Sequence, residues 1–292
     1  MVPTSSKPSS SAINEFSRRS ILKVAGAVLP IGILGIPVDL AALTQPGAAP
    51  QLPAQLTAGF PAHPPELVRE MVIVSHFNLK RVKEIVEAHP AMARAAQDWG
   101  FGDWETALGA ASHMGNRPIA EFLIANGARP TLFSATMLGQ LDVVKAFIAA
   151  QPGSQRIRGP HSISLLAHAK YGGAAAKSVF DYLQSLGDAD SDPEAPLADA
   201  DRTKVLGTYR FGAGASEQID VTMEHNAFLK TDQLTWTRKG TMGRPLYHLG
   251  ELAFYPAGAQ AVRVKFAPTA EGSATVMTVS DGEFSFSAKR NV

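Results

Sequence analysis

The sequence predicts an α+β protein of several domains, in which a stack of helical repeats is followed by a small antiparallel β-barrel or sandwich. Two observations predict this fold class. Over residues 66–187, apolar residues recur at helical spacing within a repeated frame. Over residues 202–292, apolar and polar residues alternate, as they do along half-buried strands. A proline- and glycine-rich segment at 50–65 and an acidic segment at 188–201 are the expected linkers.

The composition is that of a globular protein, and it narrows the classes of function. Of the 292 residues, 45% are hydrophobic, 18% are charged and none is cysteine. Disulfides, thiol nucleophiles and cysteine-based metal sites are therefore excluded. Residues 1–49 hold four of the 27 basic and two of the 26 acidic residues, which leaves 23 basic against 24 acidic residues in the remainder. No nucleic-acid partner is expected, because binding to phosphates needs a basic excess.

Residues 1–49 have the layout of an export signal. Arg18 and Arg19 precede an apolar stretch that is interrupted by glycine and proline, and small residues follow it at 47–49. The segment resembles a twin-arginine (Tat) signal peptide, which implies a periplasmic location after cleavage. The alternative is an uncleaved membrane anchor formed by residues 21–43, since about 20 apolar residues can span a bilayer.

Residues 104–128 contain the clearest copy of the repeated frame. The copy resembles an ankyrin repeat, whose pattern is Thr-Pro-Leu-His-x-Ala-Ala-x-x-Gly, then an apolar helix, then Gly-Ala. Ala107 and Gly109 stand where the family has Pro and His. The matching positions are Thr106, Leu108, Ala111, Gly115, Ile119, Leu123, Gly127 and Ala128.

The same frame recurs with irregular spacing at about 66–90, 130–152 and 160–187. A single hairpin cannot bury its apolar face alone, so the resemblance implies a stack of about four ankyrin-type hairpins. Glycine is expected to adopt a left-handed conformation in the turn between the paired helices, and the corresponding residues are Gly115, Gly139 and Gly172.

The C-terminal region is expected to contain about seven to nine short strands, which suits a small barrel or sandwich. Its opening residues, 206–209, read Leu-Gly-Thr-Tyr. With the strand pattern that follows, they are similar to the small lipocalin-like barrels attached to some bacterial secreted hydrolases. The barrel is an accessory in those proteins, so the resemblance implies no active residues here.

The segment 98–105 is the most unusual local feature, with two tryptophans, one phenylalanine and three acids in eight residues. Repeat proteins bind partners through the concave surface of the stack, and tryptophans are common in binding hot spots. The alternative is that both indoles are structural and close the end of the stack. The candidate partner-binding residues are Trp99, Phe101, Asp103, Trp104, Glu105 and His113.

The eight histidines do not form a recognisable metal-binding motif such as His-Glu-x-x-His. Gly159 and Pro160 are expected to place His161 in a loop, and His168 occupies a packing position of its repeat. We therefore predict structural roles for these two histidines, an exposed position for His113, and neither a metal site nor a cofactor.

Together these features predict an exported protein–protein interaction module that binds another, unidentified protein. Membrane contact is expected only through the signal segment. Outside the signal segment, the sequence contains no Gly-x-Ser-x-Gly nucleophile elbow, no P-loop and no dinucleotide-binding fingerprint. No such motif therefore favours an enzyme. The alternative is a hydrolase or a sugar- or lipid-handling protein that uses a cleft between the stack and the barrel, with Asp103, Glu105 and His113 or His161. A deep cavity with converging carboxylates and histidines would favour this alternative.

Overall fold

The computed structural model describes residues 59–190, 195–226, 231–268 and 272–291. The expected export signal, with Arg18 and Arg19, lies outside these residues. One compact unit, residues 57 to 292, contains both the helices and the barrel. Within the described ranges, no helix is long and apolar enough to cross a membrane.

Four consecutive helical hairpins form the first part of the described chain, and the predicted order of helices followed by strands is confirmed. The first helix of each hairpin packs against that of its neighbour, so that α3 lies between α1 and α5, and α5 packs against α7. The helices are α1 Pro65–Val74, α2 Leu79–Ala88, α3 Ala107–His113, α4 Arg117–Ala125, α5 Leu132–Met137, α6 Leu141–Ala150, α7 Leu165–Tyr171 and α8 Lys177–Ser185.

In three of the four hairpins, a hydroxyl side chain caps the N-terminus of the first helix. The Oγ atoms of Thr106, Thr131 and Ser164 each accept a hydrogen bond from the backbone N–H three residues later. Such a cap satisfies a backbone donor that has no partner inside the helix and contributes about 1 kcal/mol. The threonine of the repeated frame is therefore a helix-capping position.

The turn glycines allow different hairpins to touch through their backbones. Gly115 and Gly139 have φ values of 67° and 77°, as expected for left-handed turn residues. A Cβ on Gly115 would lie 2.1 Å from the carbonyl oxygen of Tyr171, so this position excludes any side chain. The left-handed prediction for Gly172 is wrong, because its φ is −65° and Gly173 adopts the positive φ instead.

A short β-hairpin precedes α3 and was not predicted. Its strands are β1 Ala96–Asp98 and β2 Trp104–Thr106, which pair antiparallel. The connecting residues Gly100, Phe101 and Gly102 all have positive φ. The hairpin therefore presents the aromatic segment as a tight loop, called here the hairpin loop (residues 99–103).

The C-terminal strands close into a barrel, which resolves the predicted choice between a barrel and a sandwich. A short helix, α9 Asp199–Val205, leads into it. Sequential strands pair antiparallel, and β10 pairs with β3 to complete the ring. The eight strands are β3 Gly207–Arg210, β4 Gln218–Asn226, β5 Thr231–Arg238, β6 Arg244–Gly250, β7 Ala253–Pro256, β8 Arg263–Pro268, β9 Ala274–Asp281 and β10 Phe284–Arg290.

The barrel interior is filled by apolar side chains over part of its length. Tyr209, Phe254 and Phe266 form edge-to-face ring contacts there, with centroids 5.5–5.6 Å apart. The hydroxyl of Tyr209 donates to the carbonyl oxygen of Val205, and burial raises its pKa to about 12. A barrel of eight strands has room for packed side chains or for one small ligand. At the end formed by Phe211, Arg238 and their neighbours, the packing gives way to a cavity.

Candidate functional site between the hairpin loop and the barrel

The helical stack and the barrel are joined through one buried arginine. Arg244, at the start of β6, donates hydrogen bonds to the carbonyl oxygens of Trp99 (2.5 Å), Gly100 (3.0 Å) and Ala257 (2.9 Å). Its guanidinium also lies 3.6 Å from Oδ2 of Asp103. Burial lowers the pKa of this guanidinium, and the carboxylate of Asp103 opposes that effect. The arginine thus fixes the hairpin loop to the barrel rim.

Two further contacts hold the same interface. The ring of Phe101 stacks on the indole of Trp236, with centroids 6.2 Å apart. The backbone N–H of Gly258 donates to Oγ of Ser162 at 2.7 Å. A Cβ on Gly258 would lie 2.1 Å from the carboxyl carbon of Asp103, so only glycine permits this approach.

The hairpin loop and the barrel enclose a cavity of about 520 Å³, called here the mouth cavity. Its charged lining residues are Arg238 and Arg244, and none of its described lining residues is acidic. Half of its twelve lining residues are aromatic, namely Trp99, Phe101, Phe211, Trp236, Phe284 and Phe286.

A second space of about 440 Å³, called here the interdomain cleft, adjoins the mouth cavity. Met242 and Arg244 line both spaces. The interdomain cleft is more polar, and His161 and Ser164 from the helical stack face Asn226 from the barrel across it.

A cluster of histidines and carboxylates lies beside these spaces, centred on Glu105. Glu105 lies on β2 and is fully buried. Its Oε2 accepts a hydrogen bond from Nε1 of Trp99 at 2.8 Å and lies 3.4 Å from Nε2 of His161. Its Oε1 lies 3.3 Å from Nδ1 of His113 and 3.5 Å from Nε2 of His76. One carboxylate therefore has four aromatic nitrogens around it.

Asp103, the second carboxylate of the cluster, accepts two hydrogen bonds from His161. Its Oδ1 accepts from the backbone N–H of His161 at 3.0 Å, and its Oδ2 accepts from Nδ1 of the same residue at 2.9 Å. His161 and Ser162 have φ values of 58° and 64°, which cost non-glycine residues about 1–2 kcal/mol each. The bonds to Asp103 stabilise this strained turn and orient the imidazole.

The environment separates the histidines into charged and neutral groups. Burial opposes protonation of His161, but hydrogen bonds to Asp103 and Glu105 outweigh it and raise its pKa to about 9. Burial lowers the pKa of His113 to about 3, with only partial compensation by Glu105. Burial would raise the pKa of Glu105, but His161 and His76 hold it well below its usual range. At neutral pH Glu105 is an anion, His161 a cation and His113 neutral.

His168 lies at the buried packing position expected for it. Its Nδ1 contacts the carbonyl oxygen of Ser164 at 2.8 Å, and its ring tilts against Phe133. Burial lowers its pKa to about 4, so it is neutral in the folded protein near pH 7. The loop position expected for His161 is also observed, in the turn Pro160–Ser162.

The structure divides the six candidate partner-binding residues between the interior and the surface. Asp103, Glu105 and His113 are buried, and the prediction that His113 is exposed is wrong because the β-hairpin and His76 cover its side of α3. Trp99 is half-buried against the helical core. Phe101 and Trp104 are 38% and 63% exposed. Sequence reasoning missed His76 and Arg244, and nothing in their local sequence marks them.

The arrangement offers two kinds of chemistry. The mouth cavity combines aromatic surface with positive charge, whereas the cluster combines the anionic, buried Glu105 with neutral and protonated imidazoles that are buried or partly buried. Groups with pKa values moved apart in this way are typical of functional sites, although ion-pair networks produce them too. No protein-family model and no curated protein sequence matches this chain.

Proposed function

We propose that this chain is an exported binding protein for a small apolar anion, held in the mouth cavity between the hairpin loop and the barrel. The observation that carries the proposal is the lining of that cavity, where six aromatic side chains accompany two guanidiniums and no described acidic residue. The ligand class is an aromatic or short acyl chain with one carboxylate or sulfonate group.

The apolar part of such a ligand matches the size and the walls of the cavity. Its volume of about 520 Å³ lies within the usual range of small-molecule sites. Phe284 and Met242, at its edge, are 57% and 47% exposed. Covering about 150 Å² of apolar surface would contribute roughly 4 kcal/mol before the costs of association.

The anionic part is assigned to Arg238. Its Nε donates to the carbonyl oxygen of Ser216 at 3.0 Å, and its guanidinium lies 5.5 Å above the ring of Phe211. Its terminal nitrogens make no hydrogen bond to any described residue, so they are available to a ligand oxygen. Arg244 adds positive charge, but its donors are already directed at three carbonyl oxygens.

The helical stack has a specific part in this proposal, because it supplies one wall of the site. Trp99, Gly100 and Phe101 line the mouth cavity and are held there by Arg244 and Trp236. The barrel alone would therefore bind the same ligand more weakly.

A pair of fluorescent probes tests the proposal. 1-Anilinonaphthalene-8-sulfonate is an aromatic anion, and N-phenyl-1-naphthylamine is a neutral compound of nearly the same shape. We expect both to bind once per chain, and Arg238→Gln to weaken the sulfonate at least fivefold while leaving the neutral probe unchanged. Arg129→Gln, an exposed arginine of the helical region, is the matched control. Equal weakening of both probes, or no saturable binding, would reject the proposal.

A second candidate function is acid–base catalysis in the interdomain cleft, as in the hydrolase alternative. It is favoured by His161, which lines that cleft and is contacted from the protein interior by the buried carboxylates of Asp103 and Glu105. The test is turnover of 4-nitrophenyl esters and glycosides. The candidate is supported if His161→Gln abolishes turnover that the exposed-histidine variant His225→Gln retains. It is rejected if wild type shows no turnover above buffer.

A further inference from the structure

Three side chains bring two imidazole nitrogens and one carboxylate oxygen to a single point in the helical region. His76 follows α1, Glu105 lies on β2, and His113 ends α3. Oε1 of Glu105 lies 3.3 Å from Nδ1 of His113 and 3.5 Å from Nε2 of His76. All three atoms lie within 4.8 Å of one another.

These separations match the ligand spacing around a tetrahedral metal ion. Zinc bonds to nitrogen and to carboxylate oxygen are about 2.0–2.2 Å long, so neighbouring ligand atoms of a tetrahedral site are about 3.4 Å apart. The two distances from Oε1 of Glu105 fall on either side of this value. The third distance, between the two imidazole nitrogens, is no more than 4.8 Å.

Two of the three ligand atoms are buried without a partner. Glu105 is 0% exposed and His113 is 4% exposed. Oε1 of Glu105 and Nδ1 of His113 make no hydrogen bond to any described residue. An unsatisfied buried polar atom costs about 1–3 kcal/mol, more when it is charged. A cation between the two atoms would satisfy both.

The surroundings orient these ligands as outer-shell contacts orient metal ligands. Nδ1 of His76 lies 3.1 Å and 3.0 Å from the carbonyl oxygens of Val72 and Ile73. Carbonyl oxygens only accept, so Nδ1 carries a hydrogen, and Nε2 is the nitrogen that remains for a metal ion. The other oxygen of Glu105 is held by Nε1 of Trp99 at 2.8 Å. Such second contacts fix the tautomer and the ring orientation of metal-bound histidines.

We propose that His76, Glu105 and His113 bind one divalent transition-metal ion of the zinc type. Two imidazoles and one carboxylate suit zinc and its neighbours, whereas magnesium and calcium require mostly oxygen ligands. Three protein ligands leave the fourth position of a tetrahedral ion open to water or to another ligand. The ion would join α1, the β-hairpin and α3, so its binding stabilises the folded chain.

Metal content and stability of the untagged chain test the site. After dialysis against chelator and addition of zinc, we expect about one tightly bound ion per chain by mass spectrometry. We expect a melting temperature several degrees above that of the metal-free protein. Cobalt in place of zinc should give the intense visible absorption of tetrahedral coordination.

Variants separate this site from adventitious binding. His76→Gln and His113→Gln should each lower zinc affinity at least tenfold, and His89→Gln, an exposed histidine after α2, should leave it unchanged. His76 is only half-buried, so its variant is expected to fold, which far-ultraviolet circular dichroism of the metal-free protein checks. Less than about 0.1 zinc per wild-type chain, or full binding in both ligand variants, would overturn the proposal.

Discussion

The side chain of Arg244 in the barrel donates a 2.5 Å hydrogen bond to the carbonyl oxygen of Trp99 in the helical region, 145 positions earlier in the chain. The same guanidinium binds two further carbonyl oxygens, from Gly100 and Ala257. Because backbone oxygens accept these bonds, they depend on the position of the hairpin loop, and the carboxylate of Asp103, 3.6 Å from the guanidinium, adds a charge interaction. The wall of the mouth cavity is therefore built from two distant parts of the sequence.

Replacing Arg244 tests whether this contact is a main link between stack and barrel. Arg244→Met leaves three carbonyl oxygens and Asp103 without their buried partner, so we expect the free energy of unfolding to fall by about 3–5 kcal/mol. Urea unfolding followed by circular dichroism measures this. Arg210→Met, at an exposed arginine of β3, is the control and should change stability by less than about 0.5 kcal/mol. Equal midpoints for the two variants would show that the link is dispensable.

The two tryptophans of the β-hairpin should respond differently to removal. Trp99→Ala deletes a half-buried indole and its hydrogen bond to Glu105, so it should cost about 3 kcal/mol of stability. Trp104→Ala removes an indole that is 63% exposed and should cost less than about 1 kcal/mol. Thermal unfolding of both variants checks this. Equal losses of stability would show that the indole of Trp99 contributes no more to the core than that of Trp104. On the exposed side of the β-hairpin, Trp104 and part of Phe101 remain accessible to another protein.

Gly115 and Gly173 form a matched pair of left-handed glycines in the helical stack, with φ values of 67° and 64°. A Cβ on Gly173 meets nothing within 4 Å, whereas one on Gly115 would lie 2.1 Å from the carbonyl oxygen of Tyr171. Gly173→Ala should therefore cost only the conformational strain, about 1–2 kcal/mol. Gly115→Ala should cost at least about 3 kcal/mol, because the second and fourth hairpins must also move apart. Similar denaturation midpoints for both variants would contradict this close backbone contact.

The repeated frame in the sequence explains the helices better than it explains the site. Thr106 and Gly115 occupy positions whose roles are local, a helix cap and a turn, so their pattern predicts them. The burial of Glu105 and its approach to His161 depend on the β-hairpin, which the repeat pattern does not contain. Arg244 lies in a strand with no unusual local sequence, and only the closed barrel brings it to the hairpin loop. Contacts across such separations follow from tertiary packing, which a single sequence does not encode as a local pattern.

His168 should make the protein less stable in mild acid. Burial lowers its pKa to about 4 from the ordinary 6.5, so below pH 6.5 the unfolded chain takes up a proton that the folded chain does not. Stability is therefore lost as the pH falls from 6.5 towards 4, by about 2–3 kcal/mol at pH 4.5. His168→Leu removes this proton uptake, so its stability relative to wild type should rise by that amount between pH 7.5 and 4.5.

Urea unfolding of wild type and His168→Leu at the two pH values measures this difference. Comparing the two proteins cancels the contributions of the other titrating groups. A difference that does not change with pH would mean that His168 is not held neutral by burial.

Competition experiments measure whether the mouth cavity binds an apolar anion through Arg238. Two competitors of equal chain length are used to displace bound anilinonaphthalene sulfonate. Octanoate carries a carboxylate, whereas octan-1-ol carries a neutral hydroxyl. In the wild-type protein we expect octanoate to displace the probe about tenfold better than octan-1-ol, since a charge-assisted hydrogen bond to Arg238 contributes about 1.5 kcal/mol. In Arg238→Gln the two competitors should become nearly equal. A preference for octanoate that is the same in both proteins would show that Arg238 does not bind the carboxylate.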